Sequence, residues 1–179
     1  TVNALPNVDA GNDIVVCIGD STQRNANGAE VYTWTPSTDL SNDLIFNPWA
    51  SPPSTVQYNL VGIDSNGCIN QDSILISVNP LPTLSTGSNP TICEGDSVPI
   101  IAFGGTIYNW ITTDSISDTT VSNPTVWPNS TTTYFVLVSD VNTCADTTSV
   151  TVNVNPKPNV DAGTSQDICF GDTTQFNAS

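Results

Sequence analysis

The sequence predicts an all-β protein made of tandem antiparallel β-sandwich repeats with a 76-residue period. Cys17, Cys93 and Cys169 follow one another at this period, and so do Trp34 and Trp110. Apolar residues alternate with polar ones over several short stretches, which is the period of a half-buried β-strand. Asn, Gly and Pro separate these stretches, and none of them has the apolar period of a helix. Short strands at regular intervals with turns between them are typical of antiparallel sandwiches.

The 76-residue period divides the chain into four parts. We expect residues 1–4 to end a preceding repeat, 5–80 to be β-sandwich repeat 1, 81–156 to be β-sandwich repeat 2, and 157–179 to start a third, incomplete repeat. An Asn-Pro-x-Pro motif lies at 79–82 and again at 155–158. Two prolines around one residue favour a short, extended linker. The chain is therefore interpreted as a segment of a longer array.

Strand-like alternation is clearest in the second half of each repeat. Residues 56–60 and 134–138 place Tyr58 and Tyr134 on an apolar face, and residues 74–78 and 150–154 show the same alternation. Between the two strands of the first repeat, 64–67 has the Asp-Ser-Asn-Gly composition of a hairpin turn. The repeated tryptophans, in mid-strand between polar residues, are predicted to be core side chains.

The charge balance excludes several classes of function. Seventeen Asp and Glu residues stand against Arg24 and Lys157, with no histidine, for a net charge of −15. Two cations cannot displace the counterions of a nucleic acid or bind an anionic membrane surface. No apolar run is long enough to span a bilayer, so we expect no membrane insertion in this segment. Without histidine a Ser-His or Cys-His catalytic pair is impossible, and we predict that the chain is not an enzyme.

The five cysteines follow the repeat. Each complete repeat has two cysteines separated by the same 51-residue interval, and the sequence predicts the disulfides Cys17–Cys68 and Cys93–Cys144. Cys169 is the first cysteine of the incomplete repeat, so its partner is expected outside the chain. Zinc binding is disfavoured because there is neither a Cys-x-x-Cys spacing nor a histidine. Disulfides predict an oxidising, extracellular location.

The second repeat contains a set of short motifs that carry a resemblance. They are Cys93-Glu-Gly-Asp96, Tyr108-Asn-Trp110, Asn123-Pro124, Thr133-Tyr-Phe-Val136 and Asp140-Val-Asn-Thr-Cys144. Together these motifs resemble the PKD-like and Ig-like tandem repeats of giant secreted surface proteins of Bacteroidota, including their gliding-motility adhesins. The resemblance covers the whole chain. It implies an Ig-like or PKD-like sandwich at the cell surface and export by the type IX secretion system.

The same resemblance implies O-glycosylation, because Asp-Ser or Asp-Thr followed by an apolar residue or Thr is similar to the sequon of these bacteria. The candidate sites are Ser21, Ser73, Ser97, Ser115, Thr119, Thr147 and Thr173. Ser115 and Thr119 are preferred because residues 114–120 have the polar composition of a loop. The alternative is that a chain rich in Asp, Ser and Thr produces such matches by chance.

Calcium is the one cofactor that the sequence brings into consideration. Asp20 and Asp96 follow glycine at equivalent positions of the two repeats, and Asp64 and Asp140 begin equivalent turns. Carboxylates are preferred Ca²⁺ ligands, but no Asp-x-Asp-x-Asp-Gly loop is present. The alternative is that these Asp residues cap turns.

Trp49 and Trp127 are the candidates for ligand contact. Both follow an Asn-Pro pair, but they do not superpose in the 76-residue register, as two core residues would. Exposed tryptophans stack on sugars or on partner proteins. The alternative is local packing within the loop.

Two functions from different classes follow from these observations. In the first, the chain is a structural stalk or filament segment of a large extracellular adhesin, and it spaces or displays a distal binding region. Its partners would be neighbouring repeats of the same chain and other copies packed laterally. In the second, the repeats themselves are a module that binds surface glycans or a protein. The regularity of the repeats favours the stalk, because a binder would concentrate aromatic residues on one face of one copy.

Overall fold

The computed structural model describes residues 2–175, and all of the regular structure in them is β. The chain folds into two compact units. The first comprises Thr1–Thr83, Gly104–Thr106 and Val138–Asp146, and the second comprises Leu84–Phe103, Ile107–Leu137 and Thr147–Ser179. The predicted boundaries at 4, 80 and 156 remain predictions, but the strands below follow the 76-residue period closely.

The first sequence repeat contains six strands. They are β1 (Ile14–Cys17), β2 (Thr22–Gln23), β3 (Val31–Thr35), β4 (Trp49–Ala50), β5 (Val56–Ile63) and β6 (Ile69–Asn79). One sheet has the order β1-β6-β5-β3, in which β1 pairs with β6 in parallel and the other pairs are antiparallel. The short strands β2 and β4 form a second, antiparallel pair, and isolated bridges join Asp9 to Asn27 and Leu40 to Ala50. The chain thus forms a bridge at Asp9, outside the larger sheet, before it enters that sheet as β1.

The second sequence repeat reproduces this arrangement. Its strands are β7 (Ser85–Thr86), β8 (Thr91–Cys93), β9 (Val98–Pro99), β10 (Ala102–Phe103), β11 (Ile107–Trp110), β12 (Thr125–Val126), β13 (Thr132–Ser139) and β14 (Ala145–Asn155). The larger sheet has the order β11-β13-β14-β8, with β8 parallel to β14, and the small pairs are β10-β7 and β12-β9. Strands β13 and β14 begin and end one 76-residue period after β5 and β6. The predicted repeat is thus a repeat of strands as well as of residues.

The core consists of the side chains that the alternating pattern placed inside. Trp34 and Trp110 are each 1 % exposed, and Tyr58 and Tyr134 are buried as well, in sequence-equivalent positions. Each buried indole donates its Nε1–H to a main-chain carbonyl at 2.9 Å, from Trp34 to Ile45 O and from Trp110 to Val121 O. A buried indole needs such a partner because an unpaired N–H is costly away from water. The predicted all-β sandwich and its tryptophan core are confirmed.

One glycine of the first repeat is required by a close approach of the main chain. Gly28 has a φ of +88°, and a Cβ at this position would overlap the carbonyl oxygen of Asn7. We expect Gly28→Ala to lower the free energy of unfolding by about 2–3 kcal/mol, because the left-handed backbone and the overlap both disfavour a side chain. Urea unfolding measures this loss. Gly67→Ala is the matched control, since Gly67 has a φ of +78° with nothing near its Cβ position, and a loss as large there would contradict the overlap.

Residues after β14 differ from the start of the first two repeats. The described part of the third repeat, 157–175, contains no strand and is exposed throughout. A stretch this short buries too little apolar surface to offset the entropy of ordering it.

Within residues 2–175 there is also no helix with the length and apolar character needed to cross a bilayer.

Candidate functional site: an inter-repeat disulfide beside an open cleft

The structure contains a disulfide that joins the two sequence repeats. Cys17, the last residue of β1, is bonded to Cys144, which immediately precedes β14, and both cysteines belong to the first compact unit. The two Cα atoms are 5.5 Å apart, and the sequence separation of the cysteines is 127. Cys144 is buried, whereas the thiols of Cys68, Cys93 and Cys169 are free, with Cys68 half-buried and the other two exposed.

The predicted pairings Cys17–Cys68 and Cys93–Cys144 are therefore wrong, and the sheet explains why. Cys17 lies opposite Asn79 at the end of β6, whereas Cys68 precedes the first residue of the same strand. At about 3.3 Å per residue, the chain from Cys68 to Asn79 spans roughly 35 Å. A disulfide needs Cα atoms within about 7 Å. The two cysteines of a repeat lie at opposite ends of its larger sheet and cannot bond to each other.

The turn that carries Cys144 has a fixed internal geometry. The Asp140 Oδ1 atom accepts hydrogen bonds from the main-chain N–H groups of Asn142 at 2.8 Å and Cys144 at 3.0 Å. Thr143 occupies the left-handed region with a φ of 67°. The Asp64–Cys68 turn of the first repeat is built in the same way, with Asp64 Oδ1 accepting from Asn66 and Cys68 N–H and with Gly67 in the left-handed position. Both Asp residues thus hold a cysteine at the start of a long strand.

An open cleft lies beside the bonded Cys17. It is lined by the end of β1, by the Gly19–Thr22 segment, by Asn79, and by Asn142 and Thr143 from the Asp140–Cys144 turn. The main chain around Cys17 is tightly turned, because Asp20 N–H donates to Cys17 O at 3.0 Å and Cys17 N–H donates to Asp20 Oδ2 at 3.2 Å. Ile18 N–H also donates to Asn79 O at 2.9 Å. This cleft is the place where the Cys144 turn meets the Cys17 segment.

A second cleft with equivalent lining lies beside Cys93. Its lining residues are Thr91, Ile92, Cys93, Gly95, Asp96, Ser97 and Asn155. Each is the period equivalent of a residue that lines the first cleft, and none of them corresponds to Asn142 or Thr143. Asp96 N–H donates to Cys93 O at 3.0 Å and Glu94 N–H to Asn155 O at 2.9 Å, which repeats the bonds around Cys17. The Cys93 cleft is built like the Cys17 cleft but is open where the latter holds a turn.

The four Asp residues predicted as calcium ligands all take part in turns. Asp20 and Asp96 each bond to the cysteine three residues before them, and Asp64 and Asp140 close the two turns described above. Within residues 2–175, no three His, Cys, Asp or Glu side chains are grouped to hold a metal ion. This geometry favours turn capping, and calcium binding stays a prediction without further support.

The two tryptophans predicted to contact a ligand reach solvent. Trp49 is 51 % exposed and Trp127 is 44 % exposed. Trp49 lies in β4, where its main-chain N–H donates to Ser41 Oγ at 3.0 Å, and Trp127 follows β12. Sequence reasoning missed that Leu44 and Phe46 of the first repeat are also exposed. Their equivalents in the second repeat are Thr120 and Ser122, and that apolar-to-polar difference was visible in the sequence.

The candidate glycosylation sites differ in how far they reach solvent. Ser21, Ser97, Thr147 and Thr173 are exposed, whereas Ser73, Ser115 and Thr119 are half-buried. Ser73 Oγ accepts a hydrogen bond from the Gln57 amide, and the main-chain carbonyl of Thr119 accepts one from the main-chain N–H of Trp110. Beside Thr119, hydrogen bonds from the Thr120 hydroxyl and N–H hold the pKa of Asp118 below its usual value. Solvent access therefore favours the first group over Ser115 and Thr119, and glycosylation itself stays a prediction.

Comparison with known proteins gives similarity in fold alone. No protein-family description and no curated protein matches the sequence. Among solved structures, the IG1+IG2 fragment of DIP-gamma is 11 % identical with a TM-score of 0.35, covering 83 % of this chain and 98 % of the fragment. A titin fragment is 12 % identical with a TM-score of 0.35, covering 85 % and 100 %. The insect immune protein hemolin is 13 % identical with a TM-score of 0.41, covering 84 % of this chain and 46 % of hemolin. In the larger sheet of each repeat, the last strand of the repeat pairs in parallel with an early strand, β6 with β1 and β14 with β8. The chain has an all-β, Ig-like sandwich fold.

Proposed function

We propose that this chain is a spacer segment of an extracellular surface protein, in which successive repeats are tied to each other by disulfides. The observation that supports this most is the Cys17–Cys144 bond, which joins one sequence repeat to the next. Disulfides persist in oxidising compartments, so the bond favours an extracellular location. The resemblance to the repeats of giant surface adhesins agrees with the same role, including a stalk or filament that displays a distal binding region.

The disulfide gives the spacer a mechanical property. When the chain is pulled from both ends, tension reaches Cys17, crosses the disulfide and leaves through Cys144 into β14. The residues between the two cysteines, 18–143, are then outside the path of the force. Unfolding in that region cannot lengthen the chain while the bond is intact, so a spacer built in this way keeps its reach under load.

Single-molecule stretching of the whole chain tests this proposal. The oxidised chain is expected to extend about 440 Å less than the reduced chain, because 127 residues at about 3.5 Å each stay locked. Cys17→Ser should extend fully without a reductant. Cys68→Ser is the matched control and should behave like the unmodified chain, since Cys68 is free. Equal extension of the oxidised and reduced chains would remove the mechanical role.

A second candidate function is supported by the apolar surface of the first repeat. Leu44, Phe46 and Trp49 are exposed there, while the equivalent residues of the second repeat are Thr120, Ser122 and Thr125. An exposed apolar set at positions that the second repeat fills with polar residues is a feature that a binding module would show. Saturable binding on a glycan array that Trp49→Ala abolishes and Trp127→Ala retains would favour this module over the spacer.

A further inference from the structure

The free cysteines are related by the repeat to the two cysteines that are bonded. In the structure, the first cysteine of one repeat is bonded to the second cysteine of the next repeat, 127 residues later. Cys93 is the period equivalent of Cys17, and Cys68 is the period equivalent of Cys144. The free thiols of Cys68 and Cys93 are therefore the two kinds of cysteine that this pairing joins.

Both halves of a second bond are already built in the chain. The cleft beside Cys93 has the lining of the cleft beside Cys17, and the Asp64–Cys68 turn has the hydrogen bonds of the Asp140–Cys144 turn. From this we infer that the Cys93 cleft is a docking site for the Asp64–Cys68 turn of a second copy of this chain, closed by a Cys93–Cys68 disulfide. The inference rests on the proposed spacer and extends it from joining repeats within a chain to joining chains head to tail.

The Cys93 cleft differs from the Cys17 cleft in its charged residues. Next to the lining residues, Glu94 is the period equivalent of Ile18, and Lys157 is the period equivalent of Leu81. The Nζ atom of Lys157 lies 3.1 Å from the position that a Cβ on Gly95 would take. One of the two cations of the chain is therefore at this cleft, which Asp96 also lines, and the incoming turn brings the carboxylate of Asp64. At larger distances, the net charge of −15 on each copy is repulsive and has to be screened by salt.

Bond formation needs an oxidant, and a small-molecule disulfide such as oxidised glutathione supplies it. Attack of the Cys93 thiolate on this disulfide forms a mixed disulfide and releases one glutathione thiolate. The Cys68 thiolate of the second copy then attacks the Cys93 sulfur and releases the second glutathione thiolate. Two protein thiols are oxidised and one oxidised glutathione is reduced to two glutathiones, so electrons and protons balance.

The test is to incubate the whole chain with oxidised glutathione at 0.15 M and at higher salt, using a mixture of ¹⁵N-labelled and unlabelled chain. We expect a ladder of disulfide-linked oligomers on non-reducing gels, stronger at higher salt. The cross-linked peptides should join Cys93 to Cys68 and include pairs with one labelled and one unlabelled partner. Cys93→Ser and Cys68→Ser should each abolish the ladder while leaving the Cys17–Cys144 peptide in place.

Cys169 provides the matched control. It is exposed and lies in a Cys169-Phe-Gly-Asp172 motif like that of Cys93, but the described residues around it form no strand and so no built cleft. Cys169→Ser should leave the ladder intact. Cross-links through Cys169 as frequent as those through Cys93, or Cys68–Cys93 peptides with both halves from one isotope only, would overturn the inference. Because the stretching experiment concerns a bond within one chain, either result leaves the spacer proposal to be judged separately.

Discussion

Removing the Cys17–Cys144 bond is expected to lower the free energy of unfolding of this chain by up to about 5 kcal/mol. The bond closes a loop of 127 residues, and on the chain-entropy view a loop of this length strongly restricts the unfolded chain. The double variant Cys17→Ser/Cys144→Ala removes the bond without leaving a thiol that could pair wrongly. Urea unfolding followed by tryptophan fluorescence measures the loss, because Trp34 and Trp110 are buried.

Two comparisons make this result specific. The variant Cys68→Ser/Cys93→Ser removes two cysteines that are free in the structure, and it should change the free energy of unfolding by no more than about 0.5 kcal/mol. A reductant should destabilise the unmodified chain as much as the Cys17→Ser/Cys144→Ala substitution does. If the Cys68 and Cys93 substitutions were the more damaging pair, the disulfide assignment would be wrong.

The second large loss of stability is expected when a core tryptophan is substituted. Trp34→Ala is expected to cost about 3–5 kcal/mol, because it deletes a fully buried aromatic side chain and leaves a cavity. Trp34→Phe should cost less, since most of the ring volume is kept and mainly the Nε1 hydrogen bond to Ile45 O is lost. Trp110→Ala should match Trp34→Ala in size, because the two residues have the same burial and an equivalent hydrogen bond.

The other two tryptophans are controls of the same residue type. Trp49→Ala and Trp127→Ala remove side chains that are about half exposed, and each should cost less than about 1 kcal/mol. Thermal or urea unfolding of the four alanine variants should therefore separate them into two pairs. Losses of equal size in all four would contradict the core described for the sandwich.

Much of the fold was predictable because the residue pattern of each long strand occurs in both repeats. The alternation around Tyr58 and Tyr134 predicted β5 and β13, and the Asp64–Gly67 composition predicted the turn that precedes β6. The short second-sheet strands such as β2 and β9 were not predicted, because two residues are too few to show a period.

The disulfide partners could not be read from spacing. In a repeated sequence, pairing Cys17 with Cys68 and pairing it with Cys144 fit the period equally well, since the two partners are themselves equivalent residues of successive repeats. Only the direction of β1 along β6 decides between them, because that pairing puts Cys17 at the end of β6 farthest from Cys68. Strand direction is a property of long-range pairing, and residue spacing does not encode it.

The placement of the two cysteines at opposite ends of each sheet has a consequence for how stability is distributed. A repeat whose two cysteines cannot bond to each other forms a disulfide only with a neighbouring repeat. A row of n such repeats would therefore contain n − 1 disulfides. Its first and last members would each be held on one side only. In a linear array, where each unit interacts with its nearest neighbours, those two members are then the least stable. Melting of such a row would begin at its ends, and lengthening it would protect the interior without strengthening the tips.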